Sequence, residues 1–488
     1  MKKFIGRQAE LEHLDKISQL KKASFIVVKG RRRIGKSRLI KEFGKSFSHF
    51  YTFSGLAPDE RTTNEHQLDE FSRQISREFG TAPAKYSDWS DAFWAIAAHL
   101  KKGKILLLFD EISWMGSKDP TFLSKIKNLW DLNLSNNPNL MFVICGSASS
   151  WIDKNILSST GFVGRISLTL TLKELTLSEC SQFWPTNISP YEKLKLLSIT
   201  GGVPKYLEEV DPKINAEENI RNLCFKNGGF LVDEFERIFP DIFLRNSDFY
   251  KKIVSLLVEG ALELKEIEKR LGDNYGRISE YLQELESAGF ITRDYAWNIK
   301  SGFDAPKLSK FRLKDNYLRF YLKYIERNLT KIHRDAYSLK SLTSLPEWHS
   351  LMGLQFENLV LNNRPYLHAA LGIHSTDIVC ENPFFQRKSS TSAGCQIDYM
   401  IQTRFNSLYV CEIKFSKDKI SSSVIEEVQQ KIDALKRPKG YSCRPVLIHV
   451  NGVTDQLIEE DYFSSIIDVS AFLATSGKGD GSPFTRLI

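Results

Sequence analysis

The sequence predicts an α/β protein of several domains, and three observations lead to this fold class. The chain has 488 residues, more than a single hydrophobic core usually serves. Residues 1 to about 210 alternate short apolar runs with amphipathic segments, and a second alternation of this kind begins near residue 351. Such apolar runs between helical segments are typical of buried parallel strands. We therefore expect two α/β regions with a different segment between them.

Composition narrows the class of protein. Hydrophobic residues make up 42% and charged residues 26%, which argues against extended disorder. The formal charge of +8 permits a polyanionic partner without requiring one. Seven cysteines without a C-x-x-C pair favour a reducing, cytoplasmic location. Because no apolar run approaches about 18 residues, we expect no membrane span.

The first region contains a phosphate-binding motif. The segment "GRRRIGKS" (30–37) lies between the apolar run "FIVV" and a helix that begins near Ser37. Backbone N–H groups at a helix start bind phosphates, Lys36 neutralises phosphate oxygens, and the Ser37 hydroxyl ligates Mg²⁺. We expect ATP and Mg²⁺ as cofactors. The expected nucleotide-binding residues are Gly30, Arg31, Arg32, Arg33, Ile34, Gly35, Lys36, Ser37, Arg38, Asp110 and Ser147.

Two adjacent acids end the run "KILLLFDE" (104–111). Asp110 is expected to reach the Mg²⁺ and Glu111 to polarise an attacking water, which favours hydrolysis. The alternative is that both acids cap a helix. Ser147, at the end of a third apolar run, is expected to sense the γ-phosphate, although a strand-end serine needs no such role. Arg165 is a candidate to stabilise the transition state in cis or in trans, with a plain surface arginine as the alternative.

Six ordered blocks carry a resemblance to a known family. They are "FIGRQAELEHL", "GRRRIGKS", "LLLFDEISWM", "VICGSASSWI", "GFVGRISLTL" and "ITGGVPKYL". Over about residues 1–240 the chain resembles the archaeal-type ATPases, a branch of the AAA+/STAND-like P-loop ATPases. The resemblance implies a P-loop ATPase core with a parallel sheet (1–180), a helical lid (181–240) and then a winged helix. A homo-oligomer through the ATPase core stays open.

The middle of the chain changes pattern. Three short helices with glycine stops and a hairpin at 292–300 predict a winged helix-turn-helix over 241–300. Arg277, Ser279 and Tyr281 are expected to approach a DNA major groove, although winged helices also serve as connectors. Residues 301–350 hold ten Lys and Arg against five Asp and Glu, and predict a basic helical linker. Its DNA-tracking candidates within 307–327 are Lys307, Lys310, Arg312, Lys314, Arg319, Lys323 and Arg327, with a solvated helix face as the alternative.

The last region contains a pair of acids on a predicted hairpin. Asp398 and Glu412 lie equally far from a turn centred near Phe405, so a symmetric hairpin makes them cross-strand neighbours. Alternation puts Lys414 on the same face as Glu412. Facing carboxylates repel unless a cation intervenes, and Mg²⁺ is the usual one. Asp398 and Glu412 are thus expected metal ligands, with Lys414 as an electrostatic catalyst and Glu357 as a further ligand.

This ordered set, with a following helix that carries Gln429, Gln430 and Lys431, resembles the PD-(D/E)XK nuclease superfamily, and more closely the domain that accompanies archaeal-type ATPases. The likeness covers about residues 350–470, although Ile397 stands where that superfamily often has proline. It implies a restriction-endonuclease-like α/β domain (351–475) and Mg²⁺-dependent phosphodiester cleavage. The glycine- and serine-containing end of the sequence (476–488) predicts a tail. We expect an ATP-hydrolysing, DNA-cleaving protein of defence or mobile-element processing. The alternative is a nucleotide-switched signalling or scaffold ATPase, whose acids form a structural ion cluster in an inactive nuclease-like domain.

Overall fold

The computed structural model describes residues 3–57, 61–147, 149–242, 247–272, 277–388 and 393–474. The predicted tail at 476–488 lies outside these residues. The chain divides into two compact units, residues 1–173 and 174–488, which are described separately below.

The first unit is built on five parallel strands. They are β1 (Ser24–Lys29), β2 (His49–Ser54), β3 (Ile105–Asp110), β4 (Leu140–Gly146) and β5 (Ile166–Thr171). Their order across the sheet is β2-β3-β4-β1-β5. The central strands β1, β3 and β4 are buried almost throughout, because helices cover both faces of the sheet. The three apolar runs predicted as buried parallel strands are confirmed.

Among the described residues of this unit, seven α-helices accompany the sheet. They are α1 (Gln8–Ser18), α2 (Lys36–Gly44), α3 (Asn64–Phe79), α4 (Trp89–Ala97), α5 (Ile112–Met115), α6 (Phe122–Leu132) and α7 (Ser149–Ile152). Alternate strand residues pack against different helices: Phe25 and Val27 share a core with α3, α4 and α6, whereas Ile26 and Val28 share one with α1 and α2. The result is a three-layer α/β/α arrangement.

The second unit begins with a helical segment. Its helices are α8 (Leu177–Ser181), α9 (Pro190–Thr200), α10 (Pro204–Leu207), α11 (Ala216–Cys224) and α12 (Glu234–Ile242). The turn between α9 and α10 needs glycine: Gly202 has φ 73°, and a Cβ there would lie 2.8 Å from the Leu175 carbonyl oxygen. The assignment of this segment as an ATPase lid stays a prediction.

A small antiparallel sheet follows. The elements are α13 (Ser247–Leu256), β6 (Leu262–Glu263), α14 (Leu264–Leu271), α15 (Ile278–Ser287), β7 (Ile291–Asn298) and β8 (Phe303–Leu313), with strand order β6-β8-β7. Its assignment as a winged helix stays a prediction. Two expectations are wrong, however. Residues 292–300 lie mostly in the single strand β7 instead of a hairpin, and residues 303–313 form β8 instead of a helix. Strand β8 pairs with β7 across a turn at Gly302, whose φ is 68°.

The remainder of the unit is a mixed α/β domain. Its helices are α16 (Asn316–Phe320), α17 (Leu329–His333), α18 (Trp348–Leu361), α19 (Arg364–Ala370), α20 (Ser423–Ala434) and α21 (Asp455–Glu459). Its strands are β9 (Ile378–Gln386), β10 (Cys395–Thr403), β11 (Ser407–Lys414), β12 (Ser442–His449) and β13 (Ser465–Asp468). The sheet order is β13-β12-β11-β10-β9. Strands β9, β10 and β11 are antiparallel, and β11, β12 and β13 are parallel. The predicted hairpin around Phe405 corresponds to β10 and β11.

Among the described residues, no helix has the length and the apolar character that crossing a membrane requires.

Candidate functional site

The phosphate-binding loop connects the end of β1 to the start of α2. Gly30 has φ 145°, and a Cβ at this position would lie 2.5 Å from the Leu172 carbonyl oxygen. Gly35, with φ 93°, precedes the first residue of α2. Both positions require glycine, because L side chains rarely adopt these conformations. The strand, loop and helix order that the motif predicts is confirmed.

Lys36 lies buried inside this loop. Its ammonium donates hydrogen bonds to the carbonyl oxygens of Gly30 at 2.9 Å and Arg31 at 3.1 Å, and to Ser147 Oγ at 2.9 Å. Burial lowers the pKa of Lys36 below its ordinary value, although the charge of Glu111 opposes this effect. The loop thus holds a cation at the position where phosphate oxygens are expected.

The predicted acids lie beside the loop, at the carboxyl edge of the sheet. Ser37 Oγ donates to Asp110 Oδ2 at 2.5 Å, so the two expected Mg²⁺ ligands are adjacent. Glu111 accepts hydrogen bonds from Ser147 N at 3.2 Å and Ser147 Oγ at 2.9 Å. A hydroxyl and a carboxylate in contact are a suitable donor set for Mg²⁺. The structure therefore brings five predicted residues of β1–α2, β3 and β4 together.

The arginines of the motif occupy different surroundings. Arg31 is buried, Arg32 lies over the Trp114 ring with 5.6 Å between the guanidinium carbon and the ring centroid, and Arg38 donates to the Lys3 carbonyl oxygen at 2.9 Å. Arg33 adopts a left-handed backbone with φ 69°, and Ile34 is fully buried. Of these five, Ile34 anchors the loop in the core beneath α2.

Sequence reasoning assigned no role to Arg7, which supports the loop from behind. This side chain is 5% exposed, and it donates to the Ile34 carbonyl oxygen at 3.0 Å and to the Lys173 carbonyl oxygen at 2.7 Å. Its backbone lies in the left-handed region, with φ 65°. An arginine directly after a glycine and before the first helix was the signal available in the sequence.

Whereas the phosphate-binding loop follows the carboxyl end of β1, Arg165 lies at the amino ends of the strands. It precedes β5, which runs parallel to β1 with Phe25 paired to Ile166 and Lys29 to Thr171. The strand length therefore separates Arg165 from the loop by about 17 Å. Arg165 forms a two-pronged ion pair with Asp131, at 2.7 and 2.9 Å. This position disagrees with action in cis, and action in trans stays a prediction.

The second predicted site lies on the sheet of the second unit. Tyr399 pairs with Cys411 and Met400 with Val410, which is the register that the symmetric hairpin predicts. Asp398 and Glu412 lie one position beyond the last pair of this register, Tyr399 with Cys411. Asp398 Oδ2 also accepts a hydrogen bond from Ile413 N at 2.9 Å. The carboxylates share one sheet face with Met400 and Val410, which pack in the same core as residues of α20.

Strict alternation fails at one position of β10. It would put Ile397 on the same face as Tyr399, but Ile397 packs in the core of Met400, against α20. The pairing of β10 with β9 shifts between Ile397 and Met400, and this irregularity turns the side chain to the other face.

Two lysines hold the acid pair. Lys431, from α20, forms a hydrogen bond to Glu412 Oε2, and its ammonium is 3.6 Å from Asp398 Oδ1. Lys414 is 3.1 Å from Glu412 Oε1 and 2.6 Å from Glu427 Oε2. Both carboxylates therefore converge on a single positive charge, that of Lys431.

Two acids in this region, Asp398 and Glu357, have raised pKa values. Burial and the charge of Glu412 raise the pKa of Asp398 to about 6. Burial and the charge of Asp398 raise the pKa of Glu357 to about 8, against the opposing charges of Arg312 and Arg319. The charges of Asp398 and Glu412 thus act on Glu357, on α18, and its role as a further ligand stays a prediction.

A metal fits only part of this arrangement. Across residues 3–474, apart from the short undescribed stretches, no three His, Cys, Asp or Glu side chains are arranged to hold a metal ion. Asp398 and Glu412 nevertheless converge on one cation, and Mg²⁺ needs few protein ligands because it keeps several waters. These two carboxylates are the residues that would hold it.

The predicted basic face does not form as expected. Arg312, Arg319 and Lys323 are at least nine-tenths buried. Arg312 pairs with Asp294 at 2.7 Å, and Lys323 donates to Glu259 at 2.5 Å. The number of basic residues in 301–350 did not predict this burial, because a count does not show which side chains point inward.

The other members of the set also differ from the expectation. Lys314 pairs with Glu174 at 2.9 Å, and Lys310 lies over the Phe385 ring. Among the described side chains of the predicted DNA-tracking set, only that of Arg327 is exposed. The side chain of Lys307 lies outside the described residues.

The predicted recognition helix corresponds to α15. Arg277 and Ser279 are exposed there, whereas Tyr281 packs edge-on against the rings of Phe249 at 4.8 Å and Tyr250 at 5.0 Å. Two of the three predicted groove-contacting side chains are therefore exposed, and the third is half-buried against the core.

Comparison with known proteins concerns mainly the first site. Residues 4–210 match the model of a family described as an ATPase domain predominantly from Archaea. An uncharacterised protein of Methanocaldococcus jannaschii is 27% identical over 366 residues, which cover 73% of this chain and 76% of that protein.

Two solved structures are similar in outline. A Walker-type ATPase of Pyrococcus abyssi matches at 16% identity over 65% of this chain and 96% of its own, with a TM-score of 0.48. The ORC2 protein of Aeropyrum pernix, in ADPNP and ADP complexes, matches at 13% identity over 69% and 97%, with a TM-score of 0.42. Both TM-scores lie below 0.5, so the assignment follows from the family model and the geometry of the loop. Residues 4–210 therefore match an ATPase domain family that is predominantly archaeal, and the segment 30–37 has the strand, loop and helix order of a P-loop.

Proposed function

We propose that this protein uses ATP turnover to control metal-dependent cleavage of DNA at the carboxylate site of its second unit. The observation that carries the proposal is the convergence of Asp398 and Glu412 on one ammonium, on the same sheet face as Lys414. Two carboxylates around one cation, with a lysine alongside, are the components of a metal-assisted phosphodiesterase.

In the ATPase domain, each predicted residue has a distinct role. The loop amides and Lys36 bind the phosphates, and Ser37 with Asp110 would hold Mg²⁺, which would supply positive charge to stabilise the phosphates. Glu111 takes a proton from the attacking water. Its hydrogen bonds to Ser147 keep the carboxylate oriented and link it to Lys36, so Ser147 is suited to sense the γ-phosphate.

At the carboxylate site, Asp398 and Glu412 would hold Mg²⁺, which lowers the pKa of a bound water and polarises a phosphodiester. Lys414 is placed to stabilise the negative charge that develops on the attacked phosphate. Glu357, with its raised pKa, is suited to hold a proton near neutral pH and to release it during the reaction.

DNA is the substrate we favour. We propose that the protein acts in defence or in the processing of mobile elements. The net charge of +8 and the exposed Arg277 and Ser279 on α15 support a polyanionic partner. The buried Arg312, Arg319 and Lys323 give no support, because they cannot contact a phosphate backbone from the core.

A separate observation supports a second candidate function. Lys414 and Lys431 already neutralise the acid pair, as a structural ion cluster would. In this alternative the protein is a nucleotide-switched signalling or scaffold ATPase, and its second unit binds nucleic acid or a protein without cleaving it.

Cleavage of a DNA and RNA panel with Mg²⁺ or Mn²⁺, with and without ATP, separates the two functions. We expect the wild type to cleave DNA and Asp398→Ala to lose this activity while its ATP hydrolysis is unchanged. A wild type that hydrolyses ATP but leaves every substrate intact would favour the scaffold function.

A further inference from the structure

Lys431 reaches the acid pair from a helix that covers the sheet. The apolar side of α20 consists of Val424, Val428 and Ile432, at helical spacing, and it packs in one core with Met400 and Val410. Lys431 follows Val428 by three positions, so both lie on the side of α20 that faces the strands. Packing of the helix therefore fixes the base of the lysine beside the two carboxylates.

The geometry of the ammonium resembles that of a bound cation. It hydrogen-bonds to Glu412 Oε2 and lies 3.6 Å from Asp398 Oδ1. Burial opposes the charged form of Lys431, but the charges of Asp398 and Glu412 outweigh it and raise the pKa of the lysine. Its side chain keeps about a quarter of its surface exposed, whereas Glu412 is almost completely buried. The lysine therefore has room to move and the carboxylate has little.

We infer that Lys431 is an exchangeable counter-cation: it holds Asp398 and Glu412 together without metal, and a divalent ion takes its place between them. This inference rests on the proposed function and adds the regulation of its metal site. Two positive charges cannot share this position, since they would repel within a few ångströms. Metal affinity is consequently set by the competition between Lys431 and the ion.

The exchange gives the released lysine a second role. Once the ion holds the carboxylates, the Lys431 ammonium turns toward solvent on the same sheet face as Lys414. There it adds a positive charge beside the place where a phosphodiester would approach, and so acts as a positioning residue for the substrate. A lysine with a purely structural role would keep the same position with and without metal.

Mn²⁺ titration by calorimetry tests the exchange on the full-length protein. The heat that Asp398→Asn abolishes defines binding at this site. We expect Lys431→Met to bind Mn²⁺ there about tenfold more tightly than the wild type, because the competing charge is gone. Lys431→Arg keeps the charge and should retain affinity near that of the wild type. Lys436→Met, which removes an exposed lysine beyond the end of α20, serves as the matched control.

Thermal unfolding provides a second readout if Lys431→Met is weakened. Without metal, the variant should melt below the wild type, because two facing acids lose their counter-charge; Mn²⁺ should then raise its melting temperature more than that of the wild type. Equal or weaker Mn²⁺ binding by both Lys431→Met and Lys431→Gln would overturn the inference. Tighter binding by these variants, with no DNA cleavage by the wild type, would uphold the exchange and reject the nuclease function.

Discussion

The two sites each combine a lysine with a pair of acids, but they distribute the charges differently. In the ATPase domain, Lys36 donates to loop carbonyls and to Ser147, whose hydroxyl in turn contacts Glu111. In the second unit, Lys431 and Lys414 contact the carboxylate of Glu412 directly. In the first site the Ser147 hydroxyl lies between the charges of Lys36 and Glu111. In the second site the lysines neutralise Glu412 through direct ion pairs.

This difference has a chemical consequence. A lysine and a carboxylate that do not contact each other both remain available, one for phosphate oxygens and the other for a metal ion or a water. A carboxylate already paired with an ammonium must exchange that partner before it binds a metal. We therefore expect the first site to be ready for its ligand and the second to depend on a displacement, and the predictions below test this contrast.

The largest effect is expected at Glu111. Glu111→Gln keeps the shape of the side chain but removes the proton acceptor, so ATP hydrolysis should fall by roughly 100- to 1,000-fold while nucleotide binding persists. Steady-state phosphate release and fluorescent-nucleotide binding measure the two quantities. Glu412→Gln is the matched change in the second site, and it should alter ATP hydrolysis by less than about twofold. Comparable losses in both variants would mean that the sites are not separate.

An intermediate effect is expected at Glu357. Because its pKa is raised to about 8, this carboxyl binds a proton more tightly in the folded than in the unfolded protein. Its stabilising contribution is complete below its ordinary pKa, near 4.5, and is lost as the pH rises through about 8.

Glu357→Gln cannot ionise, so its melting temperature should match that of the wild type at pH 5 and exceed it by a few degrees at pH 9. Scanning calorimetry across this pH range, in chelator, provides the measurement. Glu459→Gln, at an exposed position of α21, is the control. Parallel pH profiles for Glu357→Gln and the wild type would contradict the raised pKa that burial and the charge of Asp398 give to Glu357.

The smallest effect is expected at the ion pair of Arg165 and Asp131, which contacts neither site and so provides a baseline. Bonding to Arg165 lowers the pKa of Asp131 to about 2, so its contribution is present above its ordinary pKa of 3.8 and is lost as the pH falls toward about 2. Asp131→Asn should lower the melting temperature at pH 7 by no more than about 2 °C, since the pair is partly exposed. A larger drop would identify the pair as part of the folding core.

Local features of both sites could be predicted from the sequence. The phosphate-binding loop is a single run of eight residues between a strand and a helix, so its geometry follows from adjacent positions. The register of Asp398 and Glu412 followed from their equal distance to one turn. Both predictions succeeded because the chain segment that decides them is short.

Other features depend on contacts between distant segments. Lys431 meets Glu412 only because α20 packs on the sheet, and Arg7 meets Ile34 only because the chain start lies beneath the loop. The buried orientation of Arg312 and Arg319 is set by β8 and α16, not by the number of basic residues nearby. A sequence pattern gives the charge of such residues but not their direction.

Anomalous diffraction from crystals grown with Mn²⁺ and a non-hydrolysable ATP analogue tests the contrast between the sites most directly. The account predicts an Mn²⁺ peak at about 2.0–2.3 Å from both Asp398 and Glu412 oxygens, with the Lys431 ammonium moved away. A second peak beside Ser37 and Asp110 would serve as the internal positive control. A peak at the ATPase site alone, with Lys431 still bound to Glu412, would contradict the account.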